Sequence, residues 1–295
     1  MANDKISLNA LIEEAEAAKL SLNAYLLPQS AVELEITEEE LLAKMAQMLK
    51  VMEEAAAYGL TGVRSHSGLT GGSALKLQNA AAQPGFNKLL GALATDAVTY
   101  ALAVSECNAA MGRIVAAPTA GAAGVLPGVL LALKKHCNLT EEQLARALVV
   151  AGQIGLVIAA RASLAGAVGG CQAECGSAAA MAAGAAVDAL GGTPAQAGTA
   201  VSIVFKNMLG LVCDPVAGLV EVPCIKRNGG AAVQALLAAE MALAGIGSFI
   251  PADEAIDAMK WVGDSMPCAL RETAGGGLAQ TPTALAWAKA WFERE

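Results

Sequence analysis

Aromatic side chains are scarce in this 295-residue chain, at 3% of residues, and charged ones make up only 16%. A core without Phe, Tyr and Trp must be assembled from Ala, Val, Leu and Met, and a 55% hydrophobic fraction with 31 glycines supplies it. Low hydrophobicity with high charge is the mark of intrinsic disorder, so disorder is excluded. Basic residues are outnumbered: the formal net charge of −8 and a pI near 4.9 argue against a phosphate-backbone partner, and no nucleic-acid binding is expected. Only two histidines, His66 and His136, are present to move protons near neutral pH. Alternating strand patterns are almost missing, with residues 113–116 a weak exception.

The mean hydropathy of +0.50 raises the question of a membrane span. The longest uncharged runs, 114–133 and 189–205, are broken by Pro118, Pro127, Pro194 and glycines, and neither is dense in Leu, Ile and Phe. Ala-rich helices buried on all sides explain the same numbers. Residues 1–5 lead into an acidic segment with no apolar signal core. A soluble, cytoplasmic protein is expected, with no membrane partner.

Glycine is missing from residues 1–58, which carry 11 of the 27 acids, and becomes frequent from Gly59 onward. This break predicts an N-terminal helical segment over 1–58 packed on a Gly/Ala-rich helical body over 59–295. Thr37 with Glu40, Thr140 with Gln143 and Thr193 with Gln196 have the spacing of helix-opening caps, and Thr281-Pro282 marks a further start. Leu41, Leu42, Met45, Met48, Leu49 and Met52 form an apolar stripe at helical spacing, read as core or subunit interface. Trp287 and Trp291, one turn apart, are expected to anchor the last helix. The fold class is all-α.

Three Gly-rich segments stand out: 64–73 with Ser67, Thr70, Gly71 and Gly72; 117–124 with Thr119, Ala120 and Gly121; and 271–277. Hydroxyls and glycine amides next to helix starts favour anions, so these loops point to a small carboxylate or phosphate ligand, though a tight helix–helix turn has the same composition. The seven cysteines do not read as a disulfide framework. Cys171, Cys213 and Cys224 each abut Gly or Pro, but their spacing matches neither a zinc ribbon nor a ferredoxin. Residue patterns alone leave two readings open, buried thiols in a helical scaffold or cluster ligands.

The segments SGLTGG (67–72), APTAGAAG (117–124), GCQAE (170–174), CDPVAG (213–218), VPCIKRN (222–228) and LRET (270–273), in this order, strongly resemble the iron–sulfur L-serine dehydratases, specifically the α chain of their two-subunit form. The resemblance spans nearly the whole chain. It implies a carbon–nitrogen lyase that converts L-serine to pyruvate and ammonia on a [4Fe–4S] cluster, held by Cys171, Cys213 and Cys224 with one iron open as Lewis acid. Cys175 is then a neighbour. The loop residues Ser67, Thr70, Gly71, Gly72, Thr119, Ala120 and Gly121 would bind substrate. The resemblance implies that the catalytic base lies in a Ser-Ser-His motif of the family's β portion and is unassigned in this chain; His66 is the in-chain candidate, otherwise a loop residue, and His136 reads as a helix-end residue. A β chain is therefore an expected partner, within an oligomer. Competing readings are a related cluster-dependent cysteine desulfidase and a PLP-dependent dehydratase, the latter needing a parallel sheet.

Overall fold

Thr37, Thr140 and Thr193 each open a helix as their neighbours dictate. In the computed structural model, which describes residues 6–293, each threonine accepts from the backbone N–H three residues on. Glu40, Gln143 and Gln196 in turn accept from the threonines' own N–H groups. Such reciprocal caps satisfy donors that a helix start otherwise leaves unpaired. Among the described residues the chain forms thirteen α-helices and no strand: α1 (Leu8–Ala17), α2 (Leu22–Glu33), α3 (Glu38–Gly59), α4 (Ser73–Ala81), α5 (Gly91–Ala109), α6 (Val125–Cys137), α7 (Glu141–Arg161), α8 (Gly166–Gly169), α9 (Ser177–Ala189), α10 (Pro194–Met208), α11 (Cys224–Leu243), α12 (Ala252–Ser265) and α13 (Pro282–Phe292). The all-α expectation holds. Residues 113–116 are irregular, and β-pairing is confined to isolated bridges between Arg64 and Gly71 and between Cys213 and Arg271.

The Ala-rich helix α9 is the centre, with every residue but its last, Ala189, buried. Helices α6, α7, α10 and α11 surround it. Small residues let helix axes approach closely. A Cβ on Gly184 of α9 would lie 2.3 Å from Ile154 Cδ1 of α7, and one on Gly59 of α3 would collide with the Ala103 backbone of α5. Helix α7 is long and apolar enough to cross a membrane by length and composition; here Leu144, Leu148, Ala151, Ile154 and Ile158 are buried inside the fold.

Helices α1–α3 share the core of the body: Leu8, Ile12, Leu22, Leu26, Leu41, Leu49 and Met52 belong to the same apolar cluster as α5–α10. The stripe foreseen on 41–52 is thus mainly core, with Met48 left exposed. Carboxylates of the body seal the starts of the first two helices. Asp253 accepts from Leu8 N (2.9 Å) and Ser7 Oγ (2.5 Å), and Asp188 accepts from Asn23 N (3.0 Å) and Nδ2 (2.8 Å). Negative charge is favoured at a helix N-terminus, and the acidic composition is partly spent this way.

Candidate functional site

Cys171, Cys213 and Cys224 come from three separate segments, and all are buried and unpaired by disulfides. Cys171 precedes a π-helical turn, Gln172–Gly176, of a kind that recurs at functional sites. Cys213 lies in an extended stretch whose N–H donates to Leu270 O (2.8 Å) and whose carbonyl accepts from Glu272 N (2.7 Å). Cys224 is the first residue of α11. The Gln172 amide joins the first two segments, since Gln172 N donates to Leu211 O (3.0 Å) and Gly210 N to Gln172 Oε1 (2.8 Å).

Arg227, three residues after Cys224, ties all three together. Its Nη1 donates to Val212 O (2.8 Å), its Nη2 forms an ion pair with the buried Asp214 Oδ1 (2.8 Å), and its charge acts on Cys171. Asp214 Oδ1 has no aligned hydrogen bond, so that contact is electrostatic; Oδ2 accepts from Leu278 N (2.7 Å), which docks the third Gly-rich loop. Asn228, fully buried, adds a second tie: Oδ1 accepts from Gly124 N (2.9 Å), and Nδ2 donates to Gly121 O (2.7 Å) and Cys224 O (2.9 Å). The 117–124 loop is thereby fastened to the start of α11.

The thiols differ in acidity. Cys175 donates its S–H to Cys171, and this bond, with help from Arg227 and against burial, lowers the Cys171 pKa. The same bond, reinforced by burial, holds the Cys175 thiol far above its usual value. Burial first, and then charge on Cys171, pushes Cys213 up and Cys224 up to about 12. Among the described residues no three His, Cys, Asp or Glu side chains converge on a single-ion position. A cubane ligated at its corners needs sulfurs spread around an inorganic core, and thiolate is the ligand such cores take. A bare backbone position faces the set: a Cβ on Gly166 would lie 2.9 Å from Cys213 Sγ, 3.2 Å from Glu272 Oε2 and 3.3 Å from Glu174 Oε2. Buried, free thiols, one of them favoured toward thiolate and two held back by burial until a metal draws off their protons, fit an iron–sulfur group.

Each Gly-rich loop already holds an anion, and each anion belongs to the chain itself. Ser67 Oγ donates to Glu221 Oε1 (2.7 Å) and Thr70 Oγ1 to Glu221 Oε2 (2.6 Å). Gly71 pairs with Arg64, and Gly72 caps α4 with φ of +74°, a conformation that suits glycine. The amides that open α4, Ser73 N and Ala74 N, donate to the buried Glu106 (2.6 and 3.2 Å). In the second loop Thr119 Oγ1 donates to Glu174 Oε1 (2.5 Å), Ala120 O accepts from Asn108 Nδ2 (3.2 Å), and Gly121 packs on the Glu174 carboxylate. Neither Glu221 nor Glu106 was singled out by sequence reasoning. Both lie far from their loops along the chain, and no local pattern announces them.

The histidines lie apart from one another. His66 is exposed, with its ring edge-on to Trp291 at 6.0 Å, and Trp291 stacks on Trp287 at 5.7 Å. The tryptophan pair so meets the first loop from α13. His136 closes α6 with Lys134 and Lys135 and contacts Asp96 Oδ2 (2.6 Å), in keeping with the helix-end reading.

A sequence model described as serine dehydratase alpha chain matches residues 4–279. The chain belongs to the serine dehydratase alpha chain family. It is 54% identical over 277 residues to the probable L-serine dehydratase alpha chain of Bacillus subtilis, covering 94% of this chain and 92% of that one. It is 44% identical to the L-serine dehydratase alpha chain of Peptoniphilus asaccharolyticus over 84% of each chain. The L-serine dehydratase of Streptomyces coelicolor is 42% identical over 91% of this chain, a match that occupies 59% of that longer protein. In this alpha chain Arg227 and Asn228 fall inside the VPCIKRN segment, and Asp214 follows Cys213 directly. They bind the cysteine segments to one another, a role that motif spelling alone did not assign.

Proposed function

We propose that this chain is the cluster-binding, catalytic α chain of an L-serine dehydratase, acting on L-serine to give pyruvate and ammonia. The observation that carries the reading is the gathering of three buried free thiols from distant segments around Arg227. Cys171, Cys213 and Cys224 would hold a [4Fe–4S] cluster. When bound through three cysteines, it supplies an iron with Lewis acidity for the departing β-hydroxyl.

The chain's own residues do the remaining work. Arg227 places a fixed positive charge beside Cys171, and Cys175 serves it as a hydrogen-bond donor. Ser67 and Thr70 hold Glu221, three residues before Cys224, so the first loop with Gly71 and Gly72 sets the approach to the third cysteine. The backbone of Thr119, Ala120 and Gly121 forms the side of the site next to Glu174, from which it orients the substrate. His66 is the one in-chain imidazole beside a site loop; the proton acceptor for the Cα proton is assigned to the β chain. General-base assistance is worth roughly 10²–10⁴ in rate. The test is pyruvate formation from L-serine by the anaerobically reconstituted chain, alone and with its β chain. Little product alone and strong activity with β are expected. Full activity of the isolated chain, abolished in His66→Ala, would move the base to His66. No pyruvate from both chains with iron intact would refute the reading.

A further inference from the structure

Glu174, partly buried, differs in its partners from the fully buried carboxylates among the described residues. Asp214 pairs with Arg227, Asp253 with Arg161, Glu106 with two backbone N–H groups, Asp188 with Asn23, and Glu221 with two hydroxyls. Among the described residues Glu174 accepts a single hydrogen bond, from Thr119 to Oε1, and no Lys, Arg or His forms an ion pair with it. The backbone makes room for it on two sides: a Cβ on Gly121 would lie 2.6 Å from Oε1, and one on Gly166 would lie 3.3 Å from Oε2. Gly166 also faces Cys213 Sγ and Glu272 Oε2, so the open oxygen of Glu174 lies on the thiol side of the carboxylate.

We propose that Glu174, steadied by Thr119 and admitted by Gly121 and Gly166, is an ammonium subsite that receives the α-amino group of the substrate. The proposal rests on the serine dehydratase reading above and deepens it. Its sign follows from charge. A carboxylate placed at Thr119 would meet Glu174 at close range, with Glu272 beside it, and the guanidinium of Arg227 is already engaged by Asp214 and Val212. Thiolates bound to a metal core add further negative charge on the same side. A cation is the group this corner lacks, and a zwitterionic amino acid brings one. Burial, only partly offset by the Thr119 hydrogen bond and reinforced by repulsion from Glu272, disfavours the charged carboxylate in the ligand-free chain, and an ammonium beside it relieves this. The second Gly-rich loop therefore works with the opposite polarity to that expected from its composition: its hydroxyl orients an anion, and the anion orients the substrate's cation. The subsite separates amino acids from hydroxy acids of the same shape.

The test uses anaerobically reconstituted chain with its β chain, in wild-type, Glu174→Gln and Glu174→Asp forms, after iron and sulfide have been measured. Calorimetry then gives the affinities of two ligands of matched shape with no β-hydroxyl to lose: L-alanine, which keeps the ammonium, and L-lactate, which replaces it with hydroxyl. The KM for L-serine is measured alongside. Wild type should prefer L-alanine, and Glu174→Gln should keep its iron yet weaken L-alanine and raise the KM by about 10- to 100-fold, the worth of a charge-assisted hydrogen bond. Binding of L-lactate should change less than about threefold, and Glu174→Asp should recover part of the L-alanine affinity. Equal weakening of both ligands, unchanged L-alanine binding, or a wild type that does not discriminate would overturn the subsite. Loss of iron in Glu174→Gln would overturn it too, by assigning Glu174 to support of the thiols. Failure of the underlying reading is separate: it shows as absence of pyruvate from wild type with both chains.

Discussion

Replacing Asn228 by Ala should be among the most damaging single changes in the chain, although Asn228 is neither a thiol nor a charge. Its side chain is fully buried and makes three hydrogen bonds, to Gly124 N, Gly121 O and Cys224 O. The Cys224 carbonyl retains its helical partner in the first turn of α11. The Gly124 N–H and the Gly121 carbonyl would be left buried without theirs. Each orphaned group costs about 1–3 kcal/mol, so the expected loss is about 2–6 kcal/mol. That is a large share of a typical stability of about 5–15 kcal/mol. Urea unfolding of the cluster-free chain under anaerobic conditions measures it, with the slope checked so that the midpoint shift reports stability. Asn228→Asp should be no milder, because it keeps the acceptor for Gly124 N but turns an oxygen toward two carbonyls. A loss smaller than about 1 kcal/mol in Asn228→Ala would refute the reasoning.

Gly166→Ala should leave the fold standing, since Gly166 has no left-handed backbone angle for a side chain to strain, while its methyl group, 2.9 Å from Cys213 Sγ, should lower iron uptake on reconstitution; normal iron content with normal far-UV circular dichroism would contradict this. Asp96→Asn should lower the Tm slightly at pH 7. Burial opposes ionisation of Asp96, but Lys135 and His136 outweigh it and depress the pKa, so its contribution exists above the ordinary carboxylate pKa and disappears as pH falls through the lowered value. The Tm difference between wild type and Asp96→Asn should accordingly close on acidification, and a difference that widens would count against the ion pair.

Local chemistry carried much of the architecture. The capping threonines at 37, 140 and 193 open their helices because both halves of each cap lie within one turn. The close helix approaches follow from Gly and Ala, as composition implies. The site was legible in its parts and not in its wiring. Cys171, Cys213 and Cys224 stand in recognisable segments, but Arg227, Asn228 and Asp214, which join those segments, act through contacts that only the fold creates. The anion preference of the Gly-rich loops was visible in their hydroxyls and glycines. Their occupants were not, because Glu221 meets Ser67 and Thr70, and Glu174 meets Thr119, across long stretches of chain.

The most direct measurement is the iron and acid-labile sulfide content of the anaerobically reconstituted chain, taken with its visible absorption, for wild type and for serine replacements at single cysteines. Wild type should carry the complement of one [4Fe–4S] cluster, and Cys171→Ser, Cys213→Ser and Cys224→Ser should each lose it together with activity. Cys268→Ser, at an exposed turn, should retain it. Full iron and sulfide in Cys213→Ser would contradict the assignment of the three buried thiols as the cluster's ligands.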